Sequence, residues 1–173
     1  MNNIILITGA PASGKSTVSK LVAQHFDKSL HVHVDTLREM MVKGVELPGA
    51  AWSDETTRQF KLARLSAIYM AQLYATEGID VIIDDVSVPE VFAEHYASLP
   101  NSTTVHRVLL LPSAPALIAR MKKRNGPFDN VLIDAVPWLY SFLDPMDKTG
   151  WHVLVTDDMT VEQTVDEVLK RVL

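Results

Sequence analysis

The sequence has no cysteine among its 173 residues. That removes disulfide scaffolds, zinc ribbons and thiol catalysis together. It also lacks a basic excess: Lys and Arg number 16 against 21 Asp and Glu, a formal net charge of −5. The totals give no nucleic-acid-binding face, though they leave room for a local basic groove. No apolar run approaches the roughly 18 residues of a membrane span. The opening Met1-Asn2-Asn3-Ile4-Ile5-Leu6-Ile7 has no basic segment and too short an apolar stretch for a secretory leader, so a cytoplasmic protein is expected. Repeats, low-complexity tracts and Ser/Gly-rich linkers are missing as well. What remains is a globular composition, 47% apolar and 21% charged. It suffices for a sizeable core, and residues 1–173 are read as one domain.

Short β-rich runs alternate with helical spacing. Strands are expected at Ile4–Thr8, Leu30–Val34, Asp80–Asp84, Thr104–Leu111 and His152–Val155. Helices are expected over 15–26, 35–41, 54–76, 89–97, 114–124 and 134–143, with a last one reaching Val172. Ser53 reads as an N-cap, Gly78 as a stop, and Thr160 with Gln163 as a capping box. Lys43–Trp52 and Asn125–Val131 carry Gly and Pro and read as loops. The alternation predicts an α/β fold, with a five-stranded, mostly parallel sheet flanked by helices. Ligands in such sheets bind at the carboxyl ends of the strands. Three chemically interesting groups fall there: the loop after the first strand, Asp35 after the second, and Asp84-Asp85 after the third.

The first of these is the most specific. Gly9-Ala10-Pro11-Ala12-Ser13-Gly14-Lys15-Ser16 fits G-x-x-x-x-G-K-[ST] in full, between an apolar strand and a helix. The glycines let successive N–H groups point at a phosphate, and the helix that follows aims its positive end at the same anion. Lys15 is expected on the β- and γ-phosphates and the Ser16 hydroxyl on Mg²⁺. Gly9 to Thr17, with Arg120, are the expected nucleotide-binding residues. The fold is therefore expected to be that of P-loop nucleotide-binding proteins.

Such a loop does not say what becomes of the γ-phosphate. Transfer needs a positioned metal, a group that orients or deprotonates the acceptor, and positive charge on the moving phosphoryl group. Asp35 can accept an acceptor's proton, and Arg38, one turn later, can hold an anionic part of the substrate. The same residues also read as a helix N-cap and a surface cation. Asp84 ends an apolar strand beside the loop and reads as a metal ligand or as a solvated strand end. Asp84 and Asp85 alternate, so only one should face the site. Arg120 and Arg124 share a helix face. They read as lid arginines that stack on a base or neutralise phosphate, the lid spanning about residues 120–133, or as a basic helix end complementing the dipole. His31 and His33 share a strand face and are expected to be structural. Trp52 reads either as a platform for a sugar or aromatic substrate or as an anchor for the long helix. Trp138 and Tyr140 are expected in the core, and the backbone of Thr156-Asp157-Asp158-Met159 beside an adenine.

Over most of its length the chain resembles the small P-loop kinases of the AAA_33-type group. Its opening strand and P-loop are similar to those of polynucleotide 5′-hydroxyl kinases. Asp35-Thr36-Leu37-Arg38 resembles their D-x-x-R, which implies Asp35 as general base and Arg38 as a phosphate contact. Leu117 to Gly126 resembles their lid, with Arg124 at the catalytic arginine. Val34-Asp35-Thr36-Leu37 and Val81-Ile82-Ile83-Asp84-Asp85-Val86 are also similar to segments of chloramphenicol phosphotransferase, where the aspartate after the second strand is likewise the base. The resemblance implies an ATP- and Mg²⁺-dependent kinase acting on a hydroxyl. Lys15, Asp35 and Arg124 would be catalytic, Asp35, Arg38 and Trp52 would face the acceptor, and Ser16 and Asp84 would serve the metal. A small hydroxylated molecule is the expected acceptor and a nucleic-acid 5′ end the alternative. The sequence has no phosphatase domain and few basic residues in Lys43–Trp52. A regulatory nucleotide-binding module is the reading from another class; no Asn-Lys-x-Asp guanine motif supports a GTP switch.

Overall fold

The computed structural model describes residues 2–46, 53–86, 95–96, 98–99, 105–145 and 147–173. The strands are β1 (Ile4–Gly9), β2 (Ser29–His33), β3 (Asp80–Asp85), β4 (Val105–Leu110) and β5 (His152–Leu154), in the spatial order β2-β3-β1-β4-β5. All four pairings are parallel, so the mixed character that the sequence left open is absent among the described residues. The helices are α1 (Lys15–Ala23), α2 (Val34–Glu39), α3 (Asp54–Thr76), α4 (Ala114–Arg124), α5 (Asp129–Leu143) and α6 (Val161–Val172). No helix among the described residues is long and apolar enough to cross a membrane.

Side-chain alternation along the buried strands divides the core. Ile5, Ile7, Ile82, Val108 and Leu110 pack with Val18 and Val22 of α1 and Val165 and Val168 of α6. Ile4, Leu6, Val32, Val81 and Ile83 turn to the other face and meet α3. Ala63, Ala67 and Ala71 recur every fourth residue on α3, and their small side chains let the helix lie close to the sheet. Each fully buried Ile or Leu here contributes about 1.5–3 kcal/mol of transfer free energy. A third cluster joins Ala10 of the loop after β1 to Leu117 and Met121 of α4 and Val136 of α5. It ties the loop to the helices beside it.

The same parity separates the two acids that end β3. Asp84 pairs in register with His33 and shares a face with Ile82, the face of α1. Asp85 falls on the opposite face, under α3. There Arg64 Nε donates to Asp85 Oδ2 at 2.7 Å, Tyr96 Oη donates to the same oxygen at 3.1 Å, and Arg64 Nη2 donates to Val86 O at 3.0 Å. Burial pushes the Asp85 carboxyl up, and the Arg64 guanidinium pulls it back down. Both side chains are at most 6% exposed. Removing one partner leaves a buried, uncompensated charge. Arg64→Ala is therefore expected to destabilise the fold by about 3 kcal/mol, read as a lowered midpoint in urea with an unchanged slope.

Several expected boundaries shift. α1 stops at Ala23, where Gln24 and His25 close a tighter last turn on Leu21 O and Val22 O. α5 begins at Asp129, five residues before the expected Asp134, so the expected loop ends early. Asp129 supplies the reason. Its carboxylate accepts from Gly126 N at 2.7 Å and Arg124 Nε at 3.0 Å, which folds residues 125–128 into a tight link after the left-handed Asn125. Trp138, expected in the core, is 61% exposed. The buried stripe of α5 runs through Leu132, Val136, Leu139, Tyr140 and Leu143, and position 138 falls off it. Tyr140 is packed in that stripe as expected, and its hydroxyl donates to Pro112 O. The helix expected over Pro89–Ala97 lies mainly outside the described residues.

Candidate active site

The carboxyl ends of β1, β2 and β3 bring together the loop 9–16, Asp35 and Asp84. Backbone constraints at the loop are specific. A Cβ on Gly9 would stand 2.6 Å from Leu110 O and 2.6 Å from Ser13 Oγ, so only glycine lets the chain turn there. Gly14 has φ +96° and forms the N-cap of α1, a conformation that L side chains rarely adopt. Ala12 holds φ 66° without that licence, a local strain of the sort that accumulates at ligand-binding loops. Ser13 N donates to Ala10 O at 3.0 Å and Val18 N to Gly14 O at 3.0 Å, which closes the loop onto the helix.

Lys15 is 8% exposed. Burial pushes its ammonium below the usual value, while Asp84, Asp35 and Asp85, in that order, push it back up. A buried ammonium at the first position of the helix after the loop is placed to meet a phosphate held by the loop.

Asp84 is 1% exposed, and neither carboxylate oxygen has a hydrogen-bond partner among the described residues. His33 Nε2 lies 3.5 Å and His31 Nε2 3.6 Å from its Oδ2. Ser16 Oγ lies 3.4 Å from His33 Nε2. A buried carboxylate with unused oxygens, beside a hydroxyl at the start of α1, fits a hard divalent cation that draws its remaining ligands from phosphate and water. No group of three or more His, Cys, Asp and Glu among the described residues forms a protein cage for a metal. The two histidines, expected to be structural, thus stand against the acid of the site.

Asp35 lies in the first turn of α2, but it is not the N-cap. His33 is, with Thr36 N donating to its Nδ1 at 3.3 Å. The Asp35 carboxylate is 29% exposed and 3.9 Å from Arg38 Nη2. It is therefore free of capping and reachable from solvent. Arg38 turns inward: it is 6% exposed, donates from Nη1 to Glu46 O at 2.9 Å, and stacks with its guanidinium carbon 4.3 Å from the Phe60 ring centre. Glu46 is held in turn by the start of α3. Its N–H donates to Gln59 Oε1 at 2.9 Å, Thr56 Oγ1 donates to its carboxylate at 3.1 Å, and Ser53 Oγ donates to that carboxylate too. Trp52, expected at the acceptor, lies outside the described residues.

The two lid arginines separate. Arg120 Nη1 donates to Ser13 O at 3.2 Å and to Thr156 Oγ1 at 3.3 Å, and Nη2 donates to Thr156 O. It fastens the phosphate loop to the loop after β5. Asp157 beside it accepts from Ser113 N at 2.6 Å, which holds its carboxyl below the usual range. Arg124 is half exposed and paired with Asp129. Sequence reasoning did not find His33 as a neighbour of Asp84, nor the bracing of Glu46 and Gln59. Strand parity placed His33 on the right face but could not say what stood opposite.

This is a P-loop nucleotide-binding site on an all-parallel α/β sheet. The chain belongs to the AAA_33 family, described as an AAA domain, whose pattern matches residues 4–136. A stretch of 48 residues is 48% identical to adenylate kinase of Campylobacter concisus (strain 13826), covering 27% of this chain and 25% of that enzyme. The chain thus matches a quarter of that relative's length. Among solved structures the fold is shared with a sugar kinase from Janibacter sp. HTCC2649, with TM-score 0.71, 20% identity, and 98% of this chain and 94% of that one covered. It is also shared with the tunicamycin resistance protein of Deinococcus radiodurans, with TM-score 0.72, 15% identity, and 99% and 96% covered.

Proposed function

We propose that this protein is an ATP- and Mg²⁺-dependent phosphotransferase that moves the γ-phosphate to a hydroxyl of a small molecule. One observation carries the reading. Asp35, an uncapped and partly exposed carboxylate, stands within electrostatic reach of the buried Lys15, on the same strand ends as Asp84. A nucleotide-binding module that only hydrolyses slowly has no use for such a base. The similarity to an adenylate kinase segment and the fold shared with a sugar kinase support the same class.

Lys15 and backbone N–H groups within residues 9–17, other than Pro11, which has none, and Ser13, which donates to Ala10 O, would hold the β- and γ-phosphates. Ser16 and Asp84 would hold Mg²⁺, which neutralises charge on the phosphate oxygens and orients them. Asp35 would take the proton of the acceptor hydroxyl as the oxygen attacks phosphorus. Arg124 would leave Asp129 and close on the transferring group, while Arg120 would keep the phosphate loop and the base-side loop in register. Arg38 braces the acceptor side through Glu46 instead of offering its charge to a substrate. That weakens the case for an anionic nucleic-acid end, as does the net charge of −5.

The test is ATP consumption with Mg²⁺ against a panel of sugars, nucleosides, hydroxylated antibiotics and a 5′-hydroxyl oligonucleotide, with recovery of phosphate on the acceptor. Strong stimulation by a neutral small molecule is expected. Phosphate recovered on the oligonucleotide alone would transfer the assignment to a polynucleotide kinase. ATP loss indifferent to every acceptor would count against a kinase.

A further inference from the structure

The pair His33 and Asp84 supplies a role that the phosphotransfer reading does not use. We infer that His33 is a positioning residue that ties Ser16, beside Asp84 at the metal-binding end of the site, to the helix carrying Asp35. The inference rests on the nucleotide and metal assignments made above.

The argument begins with the imidazole's two nitrogens. A backbone N–H can only donate, and Thr36 N points at His33 Nδ1 at 3.3 Å. Nδ1 therefore presents its lone pair, with the Thr36 hydroxyl 3.0 Å away as a second donor. A neutral imidazole with Nδ1 as acceptor carries its proton on Nε2. That N–H faces Ser16 Oγ at 3.4 Å and Asp84 Oδ2 at 3.5 Å. Nε2 is then the donor of the Ser16 contact, with the Asp84 carboxylate beside it but not hydrogen-bonded to it, and is not a metal ligand. His31 Nε2, 3.6 Å from the same Oδ2, has no hydrogen-bond partner among the described residues, so it makes no corresponding bridge.

One ring thus touches three parts of the site. Its Nδ1 side caps α2, which places Asp35 two residues on. Its Nε2 side holds the Ser16 hydroxyl and stands 3.5 Å from the Asp84 carboxylate. Register fixes the arrangement, because His33 is the pairing partner of Asp84 on adjacent strands. The groups around metal ligands typically tune metal affinity by about 10–100-fold.

The two sides can be separated by substitution. Asn retains a short side-chain acceptor for the helix N-terminus but cannot reach Ser16 and Asp84. Gln places an N–H near the Nε2 position but caps poorly. The measurement is calorimetric titration with a non-hydrolysable ATP analogue, with and without Mn²⁺, on the full chain. The factor by which Mn²⁺ tightens nucleotide binding is expected to fall about 10-fold in His33→Asn, with metal-free nucleotide affinity and unfolding temperature close to wild type. His33→Gln is expected to keep most of that factor. A wild-type Mn²⁺ factor in His33→Asn would overturn the role, as would an equal loss in both variants. A loss of the factor without any phosphotransfer to the acceptor panel would leave the role standing and sink the kinase reading. A wild-type protein whose nucleotide binding ignores Mn²⁺ would overturn the role and the metal assignment together.

Discussion

Lys15→Ala is expected to lower phosphotransfer by about 10³-fold, close to 4 kcal/mol of transition-state stabilisation. The magnitude follows from where the ammonium sits. Lys15 is 8% exposed, so water screens it little, and its charge is already set among Asp84, Asp35 and Asp85. Bound phosphate would meet that ammonium directly, and charge on its oxygens shifts as the γ-phosphoryl group moves. Steady-state kinetics on the acceptor found in the panel gives the loss. Lys15→Arg is the control: it keeps the charge, but its larger planar fork does not fit a point-charge site, so little recovery is expected. Near-normal transfer by Lys15→Ala would remove the site assignment altogether. The unfolding midpoint is to be read alongside, because deleting the cation removes its own burial cost but leaves the buried Asp84 without a facing charge.

That much was legible in the sequence because the phosphate loop is contiguous. A glycine that must admit Leu110 O, a glycine at φ +96° and a lysine at the first helical position all fall within seven residues. Local chemistry also marked the ends of the long helix, since Ser53 accepts from Thr56 N and Gly78 follows Thr76. The capping box at Thr160 and Gln163 formed as read. What sequence could not show are contacts closed by the tertiary fold. Arg64 and Asp85 are 21 positions apart and meet only because α3 crosses β3. Their pairing decides which of two adjacent acids remains free for the site. Arg38 had the spacing of a substrate contact, yet Phe60 and Glu46 O draw it inward. The start of α5 is set by Asp129, which accepts from Gly126 N and Arg124, a contact that the spacing of a basic helix end or a lid does not reveal. The capping role that the sequence leaves open to Asp35 belongs to His33, whose ring reaches Thr36 N from outside the helix.

The release of Asp35 from capping duty gives the second large effect. Asp35→Asn is expected to lower phosphotransfer by about 10²–10⁴-fold, the usual contribution of a positioned general base. Asn preserves shape and can still accept a hydrogen bond from the acceptor hydroxyl, but it cannot take the proton. Binding of ATP with Mg²⁺ is expected to change little, because on the proposed reading Asp35 would serve the acceptor and act on the phosphate site only through the field at Lys15. Turnover should therefore collapse while the ATP dissociation constant holds. The fold should also hold: the Asp35 carboxylate is 29% exposed, lies 3.9 Å from Arg38 Nη2, and Arg38 keeps Glu46 O and Phe60 without it. A pair this long, with its carboxylate partly in solvent, is worth less than about 1 kcal/mol. A regulatory module predicts the opposite pattern, with slow hydrolysis unchanged in Asp35→Asn, since an attacking water needs no base at the acceptor. Unchanged turnover with acceptor present would exclude Asp35 as the base, whatever the fate of Lys15→Ala. Loss of both activity and ATP binding would instead move Asp35 to the nucleotide side. The two variants thus test separate halves of the site, one built on β1 and one on β2.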